Sequence, residues 1–125
     1  MAYAKQMKLV NKLVELTNAG ELEWKQSVKN DVFQLSLRDN TIMIKLNHDD
    51  FDIPDVEIDL INGDGQLVES FTDSNLRADN ESPEEMRDKW YSLMSDLYES
   101  ARRIALGADK VLNEILSDLD DKIPF

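Results

Sequence analysis

From Tyr3 to Ala19 the apolar positions recur at helical spacing. Tyr3, Met7, Val10, Leu13 and Val14, with Thr17, fall three or four residues apart, and Leu9 and Leu16 widen that face. Lys5, Lys8 and Lys12 lie beside or opposite it. Gly20 follows as a helix stop. The period then drops to two. Leu22, Trp24 and Gln26 alternate with Glu23 and Lys25; Phe33, Leu35 and Leu37 with Gln34, Ser36 and Arg38; Ile42, Ile44 and Leu46 with Met43 and Lys45; Val56, Ile58 and Leu60 with Glu57 and Asp59. A weaker fifth alternation runs through Leu67, Glu69 and Phe71. One apolar and one polar face per strand predicts an antiparallel sheet covered on one side. Polar turns at 29–31, 38–40 and 62–65 connect the runs into a meander of five strands, with Asn62-Gly63-Asp64-Gly65 expected as a type I′-like hairpin turn.

After a polar break at 73–81, Ser82-Pro83-Glu84-Glu85 announces a helix: Ser82 as cap, Pro83 at the first helical position, Glu85 closing a capping box. Met86, Trp90, Leu93, Leu97, Ala101, Ile104, Ala108, Val111, Ile115 and Leu119 then repeat at steps of three or four. Continuous from Pro83 to Leu119, this helix would be roughly 55 Å long, against about 30 Å for a compact domain of this size. Either it breaks near Leu106-Gly107-Ala108, or its end projects and packs on something else. Trp90, Leu93 and Leu97 are expected in the core. Tyr91, Met94 and Tyr98 lie on a second flank that one sheet contact cannot bury, so a second helix or a partner subunit is expected over them. The economical arrangement is an α+β domain spanning 1–125, with both helices stacked on the apolar face of the meander in two layers. Arg102 and Arg103 are expected to pair at the surface with Glu99 or Asp96.

The 125 residues include 26 Asp and Glu against 14 Lys and Arg, a net charge of −12. The imbalance is concentrated. Residues 46–76 hold nine acidic side chains and neither Lys nor Arg, and the densest part runs Asp49, Asp50, Asp52, Asp55, Glu57, Asp59. Such neighbours repel within a Debye length of about 8 Å, so they are expected to be solvated, to bind a cation, or to face a basic partner. Replacing several of Asp49, Asp50, Asp52, Asp55 and Asp59 with Asn is expected to relieve repulsion and stabilise the fold slightly. A polyanion makes direct binding to nucleic acid or to an anionic membrane unfavourable. No apolar run approaches the ~18 residues of a membrane span, and Met1 to Leu16 lacks the pattern of a secretory signal, so the expected location is cytoplasmic. With no cysteine, there are no disulfides, thiol nucleophiles or thiolate metal sites.

Two stretches carry a likeness. Leu16-Thr17-Asn18-Ala19-Gly20-Glu21-Leu22-Glu23-Trp24 resembles the Leu-Thr-x-x-Gly-x-Leu-x-Trp signature that follows the first helix in a family of small acidic bacterial and phage α+β proteins of unknown function. Leu97 to Asp109, with Ala101-Arg102-Arg103-Ile104-Ala105-Leu106-Gly107, resembles that family's last helix. The resemblance implies a bacterial or phage source and supports the α+β layout. It supplies no activity and no site residues.

Catalytic motifs fit poorly. His48-Asp49-Asp50 lacks the further histidines of His-Asp metal phosphohydrolases, and as the only histidine it gives little support to a Ser-His-Asp triad. A carboxylate-only Mg²⁺ or Ca²⁺ site stays open, but the loop at 62–65 fails as a calcium loop because Leu60 and Phe71 would occupy its first and last ligand positions. Pro54-Asp55 lacks the acidic-x-Lys of metal nucleases at Glu57-Ile58-Asp59, and there is no Gly-x-Ser-x-Gly and no phosphate-cradling loop. No cofactor and no tightly bound transition metal are expected. The expected function is that of a non-enzymatic protein-interaction domain, homo-oligomeric, with Val111, Leu112, Ile115, Leu116 and Leu119 as the contact between subunits. The alternative is an acidic inhibitor that imitates DNA, presenting Asp49, Asp50, Asp52, Asp55 and Asp59 to the basic groove of a nucleic-acid-binding or phage-defence protein. An enzyme ranks third.

Overall fold

The computed structural model describes residues 3–48, 54–76 and 83–122. Helix α1 (Ala4–Asn18) leads into a meander: β1 (Lys25–Gln26), β2 (Val32–Leu37), β3 (Asn40–His48), β4 (Pro54–Ile61) and β5 (Leu67–Thr72). A single 3-10 turn (Asp73–Leu76) follows, then α2 (Pro83–Leu106) and α3 (Ala108–Lys122). The five strands lie in sequence order and every pairing is antiparallel. The fold is α+β, as the periodicities require.

The core lies on one face of the sheet. Phe33 and Leu35, Ile42 and Ile44, Val56 and Ile58, and Phe71 point inward from successive strands and are buried. Trp90, Met94, Leu97, Tyr98 and Ala101 of α2 close over them, with Val10 and Leu13 of α1. α2 lies across the first four strands and α1 packs beside it. Met94 and Tyr98 are buried inside the chain; Tyr98 packs its ring against Phe33 of β2 and donates its hydroxyl to the Asp31 carbonyl at 2.8 Å. Burial, with the nearby charges of Asp31 and Glu99, raises the Tyr98 pKa and keeps that donor protonated.

Three local expectations are corrected. β1 has two residues, although Leu22 and Trp24 continue its alternation. α1 ends in a Schellman turn, with Glu21 N–H bonding the Leu16 carbonyl and Gly20 N–H the Thr17 carbonyl, which re-aims the chain before it can pair. The β4–β5 connection is a type I turn closed by Gly65 at φ 82°, not type I′. The Asn62 carbonyl accepts from Gly65 N–H, and Asn62 Oδ1 accepts from the backbone N–H groups of Asp64 and Gln66. Arg103 pairs with Asp109 across the helix joint at 2.9 Å, rather than with Glu99 or Asp96. The expected Ser82 cap lies outside the described residues.

The long C-terminal periodicity is cut in two at Gly107. Its φ of 67° lies where an L side chain is strained, and its N–H bonds the Ile104 carbonyl at 3.2 Å, closing α2. Val111 N–H then bonds the Gly107 carbonyl at 3.0 Å to start α3.

Candidate interaction site

α3 is amphipathic and uncovered. Its sequence places Val111, Leu112, Ile115, Leu116 and Leu119 on one stripe, and they are 48–50% exposed. None of its residues is buried. In the body, by contrast, the same repeat puts Trp90, Leu97 and Ala101 in the core, while Leu93, expected there too, is only half-buried at its edge and Met94 of the second flank is fully buried. The stripe that was expected at a subunit contact is therefore presented to solvent as a contiguous apolar face. At its root, a cleft of about 330 Å³ lined by Thr17, Asn18, Ser100, Arg103, Gly107 and Asp109 separates the start of α3 from the end of α1. The exposed side chains of Ile104 and Leu106 stand at the same joint.

The acidic candidates do not form one described surface. Asp49, Asp50 and Asp52 lie outside the described residues. Asp55 and Asp59 both stand on the polar face of β4, four residues apart. Asp59 is only 8% exposed. Its carboxylate accepts from Ser70 Oγ at 2.6 Å and lies 3.3 Å from Lys45 Nζ, which also meets Glu57 at 2.9 Å. Asn47 donates to Glu57 at 3.0 Å. The register explains the cluster, since Lys45 faces Glu57, and Asp59 faces both Met43 and Ser70. Burial pushes the Asp59 carboxyl up, but the Glu57 and Ser70 side chains and the Lys45 charge hold it below its ordinary value. The bond to Glu57, against the cost of burial and with the help of Asp59, raises the Lys45 ammonium. Asp55 is half-buried opposite Asn47, and its Oδ1 is buried without a hydrogen-bond partner.

Among the described residues no three His, Asp or Glu side chains converge on a point that could hold a metal ion. No described helix is long and apolar enough to cross a membrane. His48 ends β3 opposite Pro54.

Two features escaped the sequence. One is Asp73, which is buried and accepts from the Val56 N–H at 2.8 Å, tying the 3-10 turn to β4. Its position in a polar linker gave no sign of this. The other is a groove of about 350 Å³ at the hairpin end of the sheet, lined by Leu9, Leu37, Ile42, Leu60 and Val68 among others. Val68 breaks the alternation of β5 beside Leu67, and both are exposed; that doublet was the available signal. No family model, curated protein or solved structure matches the chain.

Proposed function

We propose that the protein is a non-enzymatic interaction domain that works as a homo-oligomer through α3. The observation that carries this is the uncovered stripe of five large aliphatic side chains on a helix with no buried residue. Half-exposed Leu, Ile and Val at this density are stabilised by removal from water, at about 25 cal/mol per Å² of apolar surface covered. A second α-helical surface is the natural complement to a stripe of this width. A further protein partner, of basic character, suits the net charge of −12.

Sedimentation velocity and equilibrium on the full chain test the proposal. A dimer or larger assembly is expected at micromolar concentration, with Ile115→Asp and Leu119→Asp shifting it to monomer while the circular dichroism of the body is kept. A clean monomer at high micromolar concentration overturns it.

A further inference from the structure

Along α3, Lys110 meets Glu114 at 4.0 Å, and Asp109 and Asp120 lie toward one side of the apolar stripe. Glu114, Asp118 and Asp121, at positions i, i+4 and i+7, form an acidic row along its other side. All three are exposed. α1 carries the opposite pattern. Lys5, Lys8 and Lys12 occupy i, i+3 and i+7 and form a basic ridge over the same seven-residue span. They are exposed, and none has an ion-pair partner among the described residues. The ridge runs beside Leu9 and Leu16: Leu9 lines the apolar groove at the hairpin end of the sheet, and Leu16 is 39% exposed. One chain thus holds two faces with charged edges of opposite sign and matched span: the apolar stripe of α3 and, on α1, the exposed Leu16 with the half-buried Leu9.

We propose that α3 of one copy lies along α1 of a second copy, and the reverse, in a twofold dimer. Its stripe would cover Leu9 and Leu16, and Glu114, Asp118 and Asp121 would face Lys5, Lys8 and Lys12 of the other subunit. This geometry presupposes the α3-mediated association proposed above and names its partner surface. The joint explains why the contact is made between chains. The left-handed turn at Gly107 and the Arg103–Asp109 pair set the direction of α3, and the cleft at its root parts it from the α1 of its own chain. The reciprocal arrangement also doubles the contact: α3 paired only with its own copy offers each subunit one strip of about 22 Å by 10 Å, and the reciprocal arrangement uses two.

The test combines charge exchange with cross-linking. Reversing the basic ridge (Lys5→Glu, Lys8→Glu, Lys12→Glu) should weaken dimerisation on the order of tenfold to a hundredfold at low salt. Reversing the acidic ridge (Glu114→Lys, Asp118→Lys, Asp121→Lys) should do the same. Combining both sets should restore affinity to near the original, since the pairs re-form with exchanged sign. These side chains are exposed, so folding, checked by circular dichroism, should be retained. The chain has no cysteine, so single thiols report contacts cleanly. A mixture of Leu16→Cys and Ile115→Cys variants, oxidised with copper phenanthroline, should give a disulfide between the two different chains. Disulfide formation by Ile115→Cys alone, with no effect of lysine reversal on affinity, would overturn this geometry and leave the α3-mediated oligomer standing. A disulfide within one chain of the double variant Leu16→Cys/Ile115→Cys, in a monomer, would overturn the dimer outright.

Discussion

Lys45 sits between two carboxylates on a face of the sheet that the alternation marks only as polar. Replacing it with Ala leaves Glu57 and the largely buried Asp59 side by side without their shared cation. The expected cost is about 1.5–3 kcal/mol, measured by urea denaturation. The cluster also sets a pH window. Asp59 titrates lower in the folded chain than its ordinary value of about 3.9, so its contribution is complete above that value and is lost as pH falls through the folded pKa. Lys45 titrates above its ordinary value of about 10.4, so its share is present below that and lost as pH rises through the folded pKa. Stability curves of Asp59→Asn should lack part of the acid limb of the parent; coincident acid limbs would show that the cluster contributes nothing. A second residue-scale pair is Trp24 and Thr17, both buried, with the indole N–H donating to Thr17 Oγ1 at 3.0 Å. Thr17→Val keeps the shape and orphans the indole donor, at an expected cost of about 1–3 kcal/mol; an unchanged denaturation midpoint would disprove it. Thr17 and Gly20 thus close the end of α1 through the Gly20 N–H to Thr17 carbonyl bond, and the Thr17 hydroxyl seats the indole.

At the scale of elements, Gly107 decides how the C-terminal periodicity is used. A Cβ at this position would meet nothing within 4 Å, so Gly107→Ala is opposed by the backbone alone. The left-handed conformation costs an L residue roughly 1–2 kcal/mol. The variant is therefore expected to relax toward one continuous helix from Pro83 to Lys122, about 60 Å long. Small-angle scattering should show a larger maximum dimension; an unchanged profile with unchanged helicity would contradict this. The elements themselves were legible. Period-two runs located all five strands, and the 3.6-residue repeat located the helices, because each buries one face and the pattern records that face. Strand extent was less legible. Leu22 and Trp24 keep the alternation of β1, and Trp24 is indeed buried, but strand pairing also needs a backbone direction that the Schellman turn takes away. The acidic candidates show the same limit. Glu57 and Asp59 read as free charge along the chain, and only the register of β3 against β4 brings Lys45 to them.

Across the whole molecule, the charge is better balanced locally than the run from 46 to 76 suggests. The sequence alone predicts that replacing several of Asp49, Asp50, Asp52, Asp55 and Asp59 with Asn relieves repulsion. Once Asp59 is seen paired with Lys45 and Ser70, its change to Asn should destabilise the fold, while Asp49→Asn, Asp50→Asn and Asp52→Asn remain the informative set for partner binding. If the acidic segment imitates DNA, those three changes should abolish capture of a basic partner, and the parent's affinity should fall steeply with salt and yield to competing duplex. Affinity that is unchanged at low salt removes that reading. Elemental analysis of the purified protein should be blank for zinc, iron and copper, because the chain has no thiol and a single imidazole; stoichiometric zinc surviving gel filtration would refute this.

The strictly sequential order of the strands also governs how quickly the native state is reached. Each strand pairs with its neighbour in the chain, so a hairpin closes over a short loop and loses little chain entropy before its contacts form. The sheet can assemble hairpin by hairpin, from Lys25 to Thr72, before α2 has left the ribosome. The exception is α1, which is synthesised first but packs beside a helix that begins at Pro83. That closure, made together with the docking of α2 across the first four strands, is the step expected to set the folding rate. Substitutions at Val10 or Leu13, or at the facing positions of α2, should slow refolding more than equally destabilising changes within the meander.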